Sequence, residues 1–259
     1  MSKNAIYCYS GTGNCLNMAK VIASVLGDTD IIMMRHFPAI TDATGYERVG
    51  FVVPCYGGGL PGGVEDDVKA LKLSPTAYKF GVIQYAGYIG SGLHKIDAIV
   101  GLDYWNKISM HSSAIWLMPH HIQLPPMPVD AAVRRMEGRA KAVAGDVLSG
   151  KRTEKPPVRA IFAKENEGLQ KINVLLNKKL TVSDACIGCG TCAKVCPRGN
   201  IKLENARPVI GRNCIACMSC VQYCPKEAIN VGRITAHRER YRNKNVTVDE
   251  LSIDVIHID

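Results

Sequence analysis

Short apolar, β-rich runs alternate with stretches of helical periodicity along the first 150 residues. AIYCY (5–9), DIIMM (30–34), RVGFVVP (48–54) and KFGVIQY (79–85) read as strands. CLNMAKVIASVLG (15–27), VEDDVKALKL (64–73) and LHKIDAIVGL (93–102) repeat their apolar positions as helices do. A fifth strand is expected within ISMHSSAIWL (108–117), and a helix from Val129 to about Leu148, with Asp130 near its start and Gly150 past its end, closes the series. Strands alternating with helices imply a parallel sheet covered on both faces, so the pattern predicts an α/β class with a doubly wound five-stranded sheet.

The periodicity then breaks. SGKRTEKPP (149–157) is polar, basic and ends in two prolines, which marks a linker, and residues 164–179 read as a bridging helix. These signals divide the chain into a sheet domain (1–155), a linker and bridging helix (156–180), a cysteine-rich α+β domain (181–232) and a C-terminal extension (233–259). Within the extension, HRERYRNKN (237–245) reads as a solvated charged surface.

The cysteine-rich region contains two motifs, CIGCGTCAKVCP (186–197) and CIACMSCVQYCP (214–225), whose cysteines correspond at a spacing of 28. Cubane iron–sulfur clusters require four soft thiolates, and a C-x2-C-x2-C turn presents three around one core. The fourth cysteine, after three intervening residues and followed by proline, reaches the other core. Cys186, Cys189, Cys192 and Cys224 are therefore expected to hold one [4Fe-4S] cluster, and Cys196, Cys214, Cys217 and Cys220 the second. Zinc needs only two Cys-x2-Cys pairs per site and leaves the doubled three-residue steps unexplained. The two stretches resemble bacterial two-cluster ferredoxins over about residues 181–232.

Three glycine-rich loops follow strands 1, 3 and 4: YSGTGNCLNMA (9–19), PCYGGGLPGG (54–63) and YAGYIGSG (85–92). The amides and helix start of the first make an anion site, with the Ser10 and Thr12 hydroxyls as further donors. In a doubly wound sheet a ligand lies at the switch point between the first and third strands. The arrangement resembles flavodoxin. That resemblance implies FMN phosphate on Ser10, Gly11, Thr12, Gly13, Asn14 and Cys15. It implies an isoalloxazine ring flanked by Pro54, Cys55, Tyr56, Gly57 and Gly58 on one side and Tyr85, Ala86, Gly87, Tyr88 and Gly90 on the other. Tyr56 and either Tyr85 or Tyr88 would stack on the ring. Cys15 departs from the Thr or Ser usual at the loop end, and a thiol is the poorer donor. Cys8 and Cys55, at strand ends, are expected to behave as small hydrophobes.

Together the two halves resemble the flavodoxin/ferredoxin fusion proteins of anaerobic microbes. The resemblance implies an electron-transfer iron–sulfur flavoprotein with a ferredoxin-type donor or a flavoprotein as partner. A reductase of a small organic substrate is the alternative, with His120 and His121 in WLMPHHIQLPPMP (116–128) as proton sources. The formal charge of +9 changes meaning once cofactors are counted. About −2 per thiolate-bound cluster and about −2 for FMN phosphate bring the loaded protein near +3. Arg238, Arg240, Arg242 and Lys244 form no helix-turn-helix or aromatic basic platform, so a nucleic-acid partner is not expected. No window reaches the roughly 18 to 20 apolar residues of a membrane span. With no leader pattern at MSKNAIYCYSGTGN, a reducing cytoplasmic setting is expected. The pattern leaves a homodimer open.

Overall fold

The computed structural model describes residues 2–35, 38–87, 89–112, 114–117, 127–157, 172, 175–176 and 178–259. The N-terminal half runs β1 (Asn4–Cys8), α1 (Asn14–Leu26), β2 (Thr29–Met33), β3 (Asp42–Ala43), β4 (Arg48–Pro54), α2 (Val64–Lys69), β5 (Lys72–Leu73), β6 (Tyr78–Tyr85), α3 (Gly92–Val100), β7 (Tyr104–Ser109) and α4 (Val129–Leu148). The long strands lie in the order β2-β1-β4-β6-β7, all parallel. That is the 2-1-3-4-5 order of flavodoxin-like sheets, with its switch point between β1 and β4. β1 is buried at all five positions because both neighbours and both helical layers cover it.

The two faces carry separate cores. α1 and α4 cover one through Leu16, Met18, Ile22, Val133, Met136 and Ala140, packed on Ile6, Cys8 and Val52. α2 and α3 cover the other through Val64, Val68, Leu93 and Ile96, packed on Tyr7, Phe51 and Val53. The fifth strand lies earlier than the sequence pattern indicates, at Tyr104–Ser109. It is an edge strand whose half-exposed Asn106 and exposed Lys107 interrupt the apolar run.

The cysteine region folds around β8 (Leu180–Val182), α5 (Thr191–Lys194), β9 (Ile201–Glu204), β10 (Arg207–Ile210), α6 (Ser219–Gln222) and β11 (Ile229–Val231). β8 pairs with β11 and β9 with β10, both antiparallel.

The extension then returns to the first domain. α7 (Val248–Ser252) starts in a capping box of Thr247 and Glu250, and β12 (Val255–Ile258) adds a sixth, antiparallel strand beside β2. The stretch 237–245 is a solvated surface at His237, Glu239, Arg242, Lys244 and Asn245, but not throughout. Tyr241 and Asn243 are buried while Arg242 and Lys244 between and beyond them are exposed, because this stretch threads between the two domains. Among the described residues no helix is long and apolar enough to cross a membrane.

Candidate functional site

The interlocked chain gathers the eight motif cysteines into two sets. Cys186, Cys189, Cys192 and Cys224 line one cavity, closed by Leu203, Pro208 and Ile229. Cys196, Cys214, Cys217 and Cys220 line another, closed by Leu180, Ile201 and Met218. In each set three thiols come from one motif and the fourth from the other. Among the described residues, no three His, Cys, Asp or Glu side chains converge as they would on a single ion. Four thiols lining one cavity are the donor set that a cubane core takes, one sulfur per iron.

The 28-residue repeat extends to the groups that support the sulfurs. The amides of Asn200 and Ala228 each donate to a sulfur four residues back, Cys196 and Cys224, at 3.2 Å. Thr191 bonds Cys189 Sγ at 3.4 Å, and Ser219 bonds Cys217 Sγ at 3.3 Å. The environments of the sets differ. Cys189 is exposed, and its bonds with Thr191 hold its thiol below the usual range. Burial pushes Cys214 up to about 11 and raises Cys217 and Cys220 as well. Burial likewise pushes Cys192 of the first set up to about 11, so the sets differ chiefly in that Cys189 of the first is exposed while no thiol of the second is.

What the second set faces is the glycine loop at 10–15. Ser10, Thr12, Asn14 and Cys15 are all buried, and Gly13 holds φ at 92°, a left-handed value that favours glycine. A Cβ on Gly13 would lie 3.0 Å from the Tyr223 hydroxyl and 3.0 Å from Asn243 Cβ, so the close approach of the cysteine domain requires glycine too. Ser219 Oγ donates to Gly11 O at 2.7 Å and the Asn243 amide to Thr12 O at 2.9 Å. The amides of Gly11 through Cys15 precede the first intrahelical bond, and among the described residues they have no hydrogen-bond acceptor. Asn14 Nδ2 and the Tyr223 hydroxyl are also buried without a partner. Unpaired donors gathered at the start of a 13-residue helix fit a terminal phosphate. The Cys15 thiol is buried and its nearest acceptor is Gln84 Oε1 at 4.0 Å, so it adds little as a donor.

Of the other predicted flavin contacts, the structure brings Tyr56 to this loop. Its hydroxyl stands 2.7 Å from where a Gly11 Cβ would be, and its ring meets Tyr9 edge-on at 6.1 Å. Gly58 and Gly90 press together so closely that a Cβ on Gly90 would fall 1.9 Å from Gly58 O, and the Ser91 amide bonds the same oxygen at 2.7 Å. Pro54 pairs with Gln84 in the sheet, and the Cys55 amide donates to Gln84 O at 2.7 Å. Tyr85 is half-buried, Ala86 is half-buried and Gly87 is exposed. Tyr88, His120 and His121 lie outside the described residues.

The sequence reading did not anticipate the contacts that join the domains. Arg198 donates to Gly62 O at 3.1 and 2.7 Å and reaches Asp67 Oδ2 at 3.2 Å. Burial raises the Asp67 carboxyl and the Arg198 charge offsets part of that rise. Arg35, also buried, donates to Lys194 O at 2.6 Å and to Leu251 O, tying the end of β2 to α5 and α7.

The family model of the 4Fe-4S dicluster domain matches residues 178–225, the span that holds both cysteine sets. The chain joins a flavodoxin-like sheet to a dicluster domain. None of the curated proteins matches it. Among solved structures, a flavoprotein in complex with FMN from Lactobacillus acidophilus NCFM is 15% identical, with TM-score 0.33, over 41% of this chain and 93% of its own. An FMN-dependent NADH-azoreductase from Bacillus anthracis is 7% identical, with TM-score 0.40, over 57% of this chain and 99% of its own. Rubredoxin oxygen:oxidoreductase from Desulfovibrio gigas is 12% identical, with TM-score 0.37, over 58% of this chain and 37% of its own. The flavodoxin-like reading rests on the strand order, and the dicluster reading on the matched cysteine span.

Proposed function

We propose that the chain is an electron-transfer protein that holds two [4Fe-4S] clusters and FMN and exchanges electrons between them, with a ferredoxin-type protein or a flavoprotein as its partner. One observation carries the reading. Ser219 Oγ lies 3.3 Å from the sulfur of Cys217 and donates to the carbonyl of Gly11 at 2.7 Å, so one side chain sets the buried thiol set against the glycine loop. When bound, each cluster supplies one-electron exchange and FMN supplies exchange of one or two.

The chain's own residues do the rest. The two cysteine sets hold the clusters, the exposed one where a partner protein can approach and the buried one against the sheet domain. The 11–15 amides and Asn14 hold the phosphate, and Tyr56 shields the loop from water. Arg198 and Arg35 fix the dicluster domain on the sheet, so the two sites keep one spacing.

Anaerobically purified protein should contain about eight iron atoms per chain, four for each cubane, and acid should release FMN. About four iron atoms, zinc in place of iron, or FAD would overturn the assignment. Cys217→Ser in the loaded protein should abolish flavin reduction by a one-electron ferredoxin-type donor while direct chemical reduction of the flavin survives. Unchanged reduction by the protein donor would show that the two sites are not coupled.

A further inference from the structure

The flavin phosphate site is not the work of the sheet domain alone. Its donor set depends on the orientation of one side-chain amide, Asn14, and that orientation can be deduced. The Asn245 backbone N–H can only donate, and it meets Asn243 Oδ1 at 3.0 Å. The other end of the Asn243 amide is therefore NH2, and it lies 3.1 Å from Asn14, where it requires an acceptor. That atom of Asn14 is Oδ1, which also accepts from the Tyr241 hydroxyl at 2.5 Å. Asn14 Nδ2 is left as the free end. It is buried without a partner, in a residue 2% exposed, at the head of α1 beside the unpaired amides of Gly11 to Cys15.

We infer that the C-terminal extension completes the anion site of the N-terminal domain, with Asn245, Asn243 and Tyr241 acting as positioning residues that turn the Asn14 NH2 group toward a phosphate. The inference rests on the proposed FMN reading and adds a dependence that the sheet domain's sequence does not contain. The extension also braces the loop backbone, because the Asn243 amide bonds Thr12 O at 2.9 Å. A free anion reaching this loop meets donors already oriented, at no cost in side-chain ordering.

Asn243→Asp tests this with little change in size. An aspartate oxygen facing Asn14 accepts from Nδ2, so the Asn14 amide turns over and presents Oδ1 to the anion. FMN and riboflavin affinities, read from flavin fluorescence on cluster-loaded protein, then separate the possibilities, since riboflavin lacks the phosphate. Asn243→Asp should weaken FMN roughly tenfold or more, the scale of one hydrogen bond to a charged group. Riboflavin binding should be unchanged. Asn14→Leu, which removes the donor without adding a charge beside the phosphate, should produce the same selective loss. Inorganic phosphate should compete with FMN on the unaltered protein and less well on either variant.

Unchanged FMN affinity in Asn14→Leu would overturn the inference while leaving the FMN reading intact, since a loss in Asn243→Asp alone is then the effect of its added charge. Equal loss of both flavins would also overturn it, by assigning these residues a purely structural role. An unaltered protein that binds FMN no better than riboflavin would instead remove the phosphate reading of the loop, and the inference with it.

Discussion

Ala216, Met218 and Glu227 take left-handed backbone angles, with φ of 53°, 61° and 48°. The residues 28 earlier, Gly188, Gly190 and Gly199, take the same region at 68°, 76° and 54°. The second cysteine motif thus repeats the turns of the first without their glycines. A left-handed non-glycine residue costs roughly 1–2 kcal/mol. Met218 offsets that cost by burying its side chain beside the second thiol set. Glu227 is compensated through its charge: its own side chain is exposed, but its carboxylate lies 3.8 Å from the Arg240 guanidinium, which is 8% exposed and whose charge it supports. Glu227→Gln, which keeps the backbone angle and removes only the charge facing that nearly buried guanidinium, should therefore destabilise the loaded protein by about 1 kcal/mol. Urea unfolding monitored under anaerobic conditions reads this directly, and unchanged stability would show that the Arg240 contact does not offset the strain.

Elements differ in how much of their formation is written locally. β1, β4 and β6 are legible because nearly every position is apolar, as a strand covered on both faces demands. The cysteine sets are legible because a fixed 28-residue step determines which thiol crosses over. β12 is not, since VIHI is short and carries a histidine, and its partner β2 lies at the other end of the chain. The buried Tyr241 and Asn243 are hidden among the charges of HRERYRNKN, although their spacing of two is the trace a strand-like segment leaves. β12 also depends on pH. His257 bonds Asp30 at 2.9 Å and Asp259 at 3.0 Å, which raises its pKa above 6.5. Burial pushes Asp30 up, but the bonds from His257 and Tyr46 outweigh it and leave the carboxyl below 3.8. The raised histidine contributes stability that is full below 6.5 and lost as pH rises through its folded pKa. The depressed Asp30 contributes stability present above 3.8 and lost as pH falls through its own lower value. The melting-temperature gap between wild type and His257→Gln should accordingly be wider at pH 6 than at pH 8.5, and a gap independent of pH would show that this pair does not secure the strand.

At the scale of the whole molecule, the sheet is finished by a strand that belongs to neither motif-bearing domain. β12 covers the outer edge of β2, whose unpaired N–H and C=O groups would otherwise invite another strand. Removing residues 255–259 should leave the cysteine cavities formed but make the protein associate, with light scattering rising with concentration while iron content is retained. A variant that scatters no more than the full chain would show that β2 is protected by other means. The same closure has a consequence for biosynthesis. About 220 residues separate Met33 from Val255, and at roughly 5–20 residues per second a ribosome needs on the order of 10 to 45 seconds to make them. For that interval the nascent sheet has an open flank. Iron and sulfide insertion into complete thiol sets has far less time before the extension wraps the two halves together, because only 31 residues separate Cys224 from Val255, on the order of 2 to 6 seconds at the same rate. The chain's own rate of translation thus sets a window for metallation, and a slower ribosome lengthens both that window and the exposure of β2.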